Sequence, residues 1–350
     1  MAKDIPLPAG ILSALEFTIS TLFSLQVEFW TEQMLKVKEI VKQSATLQEK
    51  LYQRTDPRIT TATGKVNFIA MMSTMGQFDL GGARWPHQFV RGFPIIGDLS
   101  QSGIYPTDPK SQHAPDHSSL WTEIASRFRT RAGASGWPNA DTLWQEALGQ
   151  VTNGWLTPHL PIREDGQCPD LAIGPVNVSF RFGVGQMNKL RACDDLKYGA
   201  ANLYCSVWAP IKLPTWRHIA QMAASVRRAN CDWSFFKTDH ESPYKQLPLG
   251  PAHQSLTAAA LRQPHTGTWM AFAPRALLFG AVAAVLRYNA FSRSLAVLFC
   301  KITGTPLSYF GDFGALVPSE ILDPTLQAFM AFCQLLGVKL KDPKTEKDRP

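Results

Sequence analysis

Residues 307 to 316 read LSYFGDFGAL, an apolar run broken by a single carboxylate, Asp312, with Gly311 immediately before it. A run of this kind folds as strand, turn and strand, with the charge at the tip of the hairpin. It commits the C-terminal half of the chain to a sheet. Helical periods at 215 to 228 (TWRHIAQMAASVRR) and 276 to 300 commit the same half to helices. Short runs rich in Val, Phe, Tyr and Trp alternate with these segments, so the expected class is α+β.

Upstream, apolar residues recur at helical spacing from about Ile11 to Leu51 with no Gly or Pro, which predicts one long helix or two. The stretch ILSALEFTISTLFSLQVEFW is apolar enough to suggest a signal or membrane span. Glu16, Gln26 and Glu28 interrupt it, and a packing helix is the better reading. From 73 to 140, turn signals at GG, WP, YPTDP and GWP predict irregular backbone with short strands and a poor core. A helical period returns at Asp141 and stops at Gly154. The plan is a helical N-terminal region (1–72), an irregular segment (73–140), an α+β unit (141–345) and a charged, fraying tail (346–350).

With 350 residues, 45% of them apolar, the chain can bury a substantial core. Its 35 Lys and Arg against 28 Asp and Glu give a net charge of +7, which favours polyanionic partners without identifying one. The six cysteines include no C-x-x-C pair and read as free thiols of a reducing compartment, cytoplasmic or nuclear. His113 and His117 have a metal-compatible spacing but sit in a proline-bearing loop, and a loop without a metal is the favoured reading.

Four segments carry candidate chemistry. In NKLRACDDLKYG (188–199), Lys189 and Arg191 alternate with Leu190, so both cations share one strand face and suit a triphosphate. Of the adjacent Asp194 and Asp195 at most one serves a site, and Asp195 reads as structural. In DWSFFKTDHESPYKQLPLGP, Asp239 ends an apolar strand, a natural position for a metal ligand, and Tyr244 follows as a possible floor for a sugar. Phe279-Gly280 opens the long helix, with glycine permitting a close approach by ligand. The hairpin with Asp312 completes the set. Taken alone, Asp239 is a cap, Lys189 and Arg191 a solvated face, and Tyr244 a core aromatic.

The order of a basic segment, K-x-D-x-x-x-x-Y-x-x-x-P, F-G before a helix, and Y-x-x-D in a hairpin resembles the reverse transcriptase family of RNA-directed DNA polymerases, in its retroelement form. LWQEALGQVTNGWL is similar to the helix leading into the fingers of such enzymes, and LGVKLKDPKT to a segment ending in a lysine, here Lys344. The likeness covers roughly 141 to 345. Before that, only GFPIIGDLSQSGIYP looks like a recurring retroelement block.

The resemblance implies a palm and fingers architecture with no recognisable thumb, RNA or DNA template-primer and dNTPs as partners, no membrane, and a two-ion Mg²⁺ (or Mn²⁺) site. It makes Asp239 and Asp312 catalytic metal ligands. It assigns nucleotide binding to Lys189, Arg191, Tyr244, Phe279, Gly280 and Lys344. Gly311 stands where that family's middle carboxylate belongs, Pro243 replaces a small residue before the tyrosine, and Val285 replaces a proline. A one-residue slip of the hairpin that brought Asp312 into the vacant place would turn Tyr309 and Phe310 inside out. The expected activity is therefore impaired template-directed nucleotidyl transfer. The alternative is a non-catalytic nucleic-acid-binding remnant or a decayed retroelement frame.

Overall fold

The computed structural model describes residues 9–63, 66–78, 85–99, 112–116, 127–131, 139–168, 178–186, 189–207, 211, 213, 215–226, 232–309 and 312–341. The chain is α+β, and no helix among the described residues is long and apolar enough to cross a membrane. The N-terminal helical period resolves into two helices, α1 (Ala9–Ser20) and α2 (Phe23–Arg54). On α2, Trp30, Gln33, Val37, Ile40, Ser44 and Gln48 form a buried stripe at helical spacing. Two of its members donate out of the stripe: Gln48 Nε2 to the Val66 carbonyl (3.0 Å) and the Trp30 indole to the Thr303 carbonyl (2.6 Å). This stripe lies against α3 (Phe68–Gln77) and two later helices, α6 (Val282–Thr303) and α7 (Leu322–Leu335).

Helix α6 is buried on most of its circumference and forms the centre of the main core. A helix apolar nearly all round is stable only when covered on every side. Part of that cover comes from a segment expected to pack poorly. Trp85, Phe89, Phe93 and Ile95 are all buried, Trp85 meeting Phe291 edge-on at 5.6 Å and donating from its indole to Ser294 Oγ (3.1 Å). The expectation of a poor core across 73 to 140 is corrected at these residues. Irregular backbone can line a core when its amides are satisfied: Phe93 N–H donates to the Pro248 carbonyl and its own carbonyl accepts from Gly250.

Three sheets are formed among the described residues: a two-stranded parallel ribbon joining Gly97–Asp98 to Cys205–Ser206, and two larger ones, of which the three-stranded sheet contributes to this core and the five-stranded sheet packs in clusters of its own. Of the larger two, one has five strands: β1 (Leu160–Pro161), β2 (Val178–Gln186), β3 (Lys189–Asp194), β5 (Ala258–Arg262) and β6 (Trp269–Phe272), in the spatial order β1-β6-β5-β2-β3. Only the β2–β5 pair is parallel. The other has three antiparallel strands, β4 (Trp233–Thr238), β7 (Leu307–Tyr309) and β8 (Phe313–Pro318), with β8 between its neighbours. Helix α4 (Ala140–Thr152) packs on the five-stranded sheet, while α5 (Trp216–Val226) meets the N-terminal helix and Leu316 in a separate apolar cluster.

Candidate functional site

Asp239 follows the last residue of β4, and Asp312 precedes the first residue of β8. Thr238 pairs with Phe313 across the two strands, so the next step of the same register sets Asp239 opposite Asp312. The hairpin pairs Phe313 with Tyr309, and Tyr309 is buried. Gly311, the position of the missing carboxylate, lies outside the described residues, as do Phe310, Lys344, His117 and the 346–350 tail. His113, which is described, lies beside Asp98, its Nδ1 at 2.5 Å from Oδ2.

Both carboxylates open into a cleft of about 700 Å³, within the size range of small-ligand sites. Arg191 on β3, Tyr244 and Phe279 line the same cleft. The side chain of Lys189 is outside the described set, although its backbone begins β3. Tyr244 sits in a short 3₁₀ turn, Pro243–Gln246, and its ring meets those of Phe279 and Tyr288 edge-on, both at 5.2 Å. Burial raises the Tyr244 hydroxyl's pKa, and does the same for the Tyr288 and Tyr309 hydroxyls on the same wall, so all three stay protonated at neutral pH.

Gly280 does not line the cleft, and the close approach it permits is made by the chain itself. Its φ is +107°, and a Cβ there would lie 2.3 Å from the Asp194 carbonyl oxygen. Asp194 N–H donates to the Phe279 carbonyl (3.1 Å), and Asn202 bridges the junction by donating to the Gly280 carbonyl and accepting from Val282 N–H at the start of α6. The expectation that Gly280 makes room for a ligand is corrected: it makes room for β3, and so fixes the strand bearing Arg191 against α6.

Three features escaped sequence reasoning. The first is a sealed ion pair in the cleft wall, with Arg181 donating from Nε (2.8 Å) and Nη2 (3.1 Å) to Asp194. Loss of hydration disfavours the guanidinium there, but the charge and hydrogen bonds of Asp194 outweigh it and hold the Arg181 pKa above its ordinary value. The second is that each open carboxylate already holds an ammonium: Lys237 Nζ lies 2.5 Å from Asp312 Oδ2, and Lys341 Nζ pairs with Asp239. Lys237 stands two residues before Asp239 on one strand face and was legible in principle. Lys341, 102 residues away from its partner, was not. The third is Lys245, which lines both this cleft and a neighbouring cavity.

Beside Asp239, His240 is fully buried, its Nδ1 2.6 Å from the Tyr288 hydroxyl. Burial, with Lys341 nearby, pushes its pKa down to about 3. Asp195 is structural, accepting from Arg131 and from the Tyr198 N–H. Among the described residues no group of three or more His, Cys, Asp and Glu side chains converges as a metal cage. Two carboxylates do fit a magnesium ion that brings phosphate oxygens and water as its remaining ligands.

No protein-family model matches the chain, and no curated protein matches it.

Proposed function

We propose that the cleft is the nucleotide site of a reverse-transcriptase-like palm, that the chain binds primer-template and dNTP, and that the glycine at 311 holds template-directed nucleotidyl transfer low. What carries the reading is the convergence of Arg191, Asp239, Tyr244, Phe279 and Asp312 from four distant segments into one cleft, with the two carboxylates on adjacent strands. Arg191, whose guanidinium makes no ion pair among the described residues, takes a phosphate. Tyr244 and Phe279 wall the sugar and base. Asp239 and Asp312 would hold Mg²⁺ or Mn²⁺ in place of the Lys341 and Lys237 ammoniums that they hold in this structure. The ion, when bound, acidifies the primer 3′-hydroxyl and neutralises triphosphate charge.

A second reading, nucleic-acid binding without turnover, is favoured by the lysines that occupy both carboxylates. Primer extension with Mg²⁺ and Mn²⁺ separates the two. Gly311→Asp is expected to raise extension by more than the roughly 10- to 100-fold that supporting residues of metal sites contribute, and Asp239→Ala in that background to abolish it. A repaired chain that folds, binds primer-template and adds no nucleotide leaves only the second reading. Full activity without repair contradicts the role given to Gly311.

A further inference from the structure

Beside the cleft lies a second cavity of about 270 Å³, and Trp155, Ser242 and Lys245 line both. The boundary that they share is fixed by local backbone. Gly154 adopts φ +73° where a Cβ would strike Thr61 at 2.7 Å, and this left-handed turn sets Trp155 at the boundary, its backbone fixed to Gln150 and Arg275. Ser242 also has a left-handed backbone, φ 46°, a strained state for a residue with a side chain. It launches the turn that carries Tyr244 and Lys245. Gln246 locks that turn by donating to the Glu241 and Lys339 carbonyls and accepting from Lys339 N–H.

We propose that Lys245 binds a phosphodiester of a single nucleic-acid strand that runs from the cleft into this second cavity, with a base laid on Trp155 and Lys339 meeting the strand beyond. The proposal rests on the reading of the cleft as a nucleotide site. Lys245 Nζ makes no hydrogen bond or ion pair among the described residues, although Glu146 and Asp194 face it, with Arg181, across the cleft and Glu241 and Lys339 share the cavity behind it. The side chain keeps some surface, yet loss of hydration, with Arg181 adding to it, pushes the ammonium down to about 8. A cation held at that cost without a partner is matched by an anionic ligand. At about 270 Å³ the second cavity falls below the roughly 300 to 1,000 Å³ of sites that enclose a whole small molecule, a size that suits one unit of a strand continuing from the cleft.

The test is fluorescence titration of the full chain with an oligothymidylate of about ten nucleotides, within the site sizes of single-strand channels, across salt and pH. Lys245→Met is expected to weaken binding about tenfold and to lower the log–log salt slope by about 0.7, one phosphate contact. Trp155→Leu is expected to cost about 5- to 150-fold, the range for one stacked base. Wild-type affinity should fall as pH rises through about 8, where the free ammonium loses its proton. Lys245→Arg should bind at neutral pH and lose that fall, a readout that survives if Lys245→Met does not fold. Wild-type affinity and slope in Lys245→Met, an unchanged pH profile in Lys245→Arg, or no binding by wild type overturns the proposal. Extension assays on the same proteins keep it distinct from the polymerase reading: Lys245-dependent binding without extension by the Gly311→Asp chain removes only that reading, and extension with no Lys245 effect removes only this one.

Discussion

Asp194 and Arg181 are sealed in the cleft wall, each side chain 2% exposed and joined by two hydrogen bonds. In the same cleft Asp239 and Asp312 remain 33% and 29% exposed, and each holds a flexible lysine through a single oxygen. The difference separates structure from chemistry. A buried pair cannot exchange partners without stranding a charge, so Asp194 serves the fold by anchoring β3. An exposed lysine–carboxylate pair contributes about 0–1 kcal/mol. Asp239 and Asp312 can therefore trade their lysines for a ligand at small cost, and sequence alone, which shows three aspartates in three loops or strand ends, does not reveal which are sealed.

The sharpest way to break this contrast is to remove one side of the sealed pair. Asp194→Ala is expected to destabilise the chain by about 3–5 kcal/mol, read from denaturant unfolding, while replacing both members with apolar residues of similar size restores much of the loss. An equal cost for Asp239→Ala would erase the distinction.

His240 gives the next effect, because it joins the open carboxylate to the core. Its proton affinity is depressed on folding, from an ordinary 6.5 to about 3, so the unfolded chain binds more protons between those values and stability falls as pH drops from 6.5 towards 3. The slope approaches about 1.4 kcal/mol per pH unit for this one group. In His240→Gln the slope through that window should flatten. Urea midpoints across the window check it, and an unchanged slope would mean that His240 is not the group being protonated.

Much of this arrangement was legible because it is written in local patterns. The alternation of strand and helix gave the α+β class, and the two apolar runs on either side of Asp312 pair as antiparallel strands. Asp239 and Asp312, 73 residues apart in the chain, stand at the ends of adjacent strands. Other features depend on partners distant in sequence. Trp85, Phe89 and Phe93 sit among Gly and Pro residues that read as surface loop, and partners far along the chain hold them in the core: Ser294 and Phe291 for Trp85, and the backbone of Pro248 and Gly250 for Phe93. Gly280 looked like a ligand gap because its neighbour across the gap, Asp194, is 86 residues upstream in the numbering. Lys245 is indistinguishable from a solvated lysine until burial by the chain around it strips its water and the like charge of Arg181 opposes its own.

The most direct test of the account is Mn²⁺ binding in the presence of a dNTP, followed by loss of the free-ion paramagnetic signal, for wild type, Asp239→Ala and Lys341→Ala. Wild type should hold the Mn²⁺–nucleotide complex, Asp239→Ala should lose it, and Lys341→Ala should bind more tightly because the competing ammonium is gone, with stability moved by less than about 1 kcal/mol. If Asp239→Ala holds the complex as tightly as wild type, the open carboxylates are not its site and the account is contradicted.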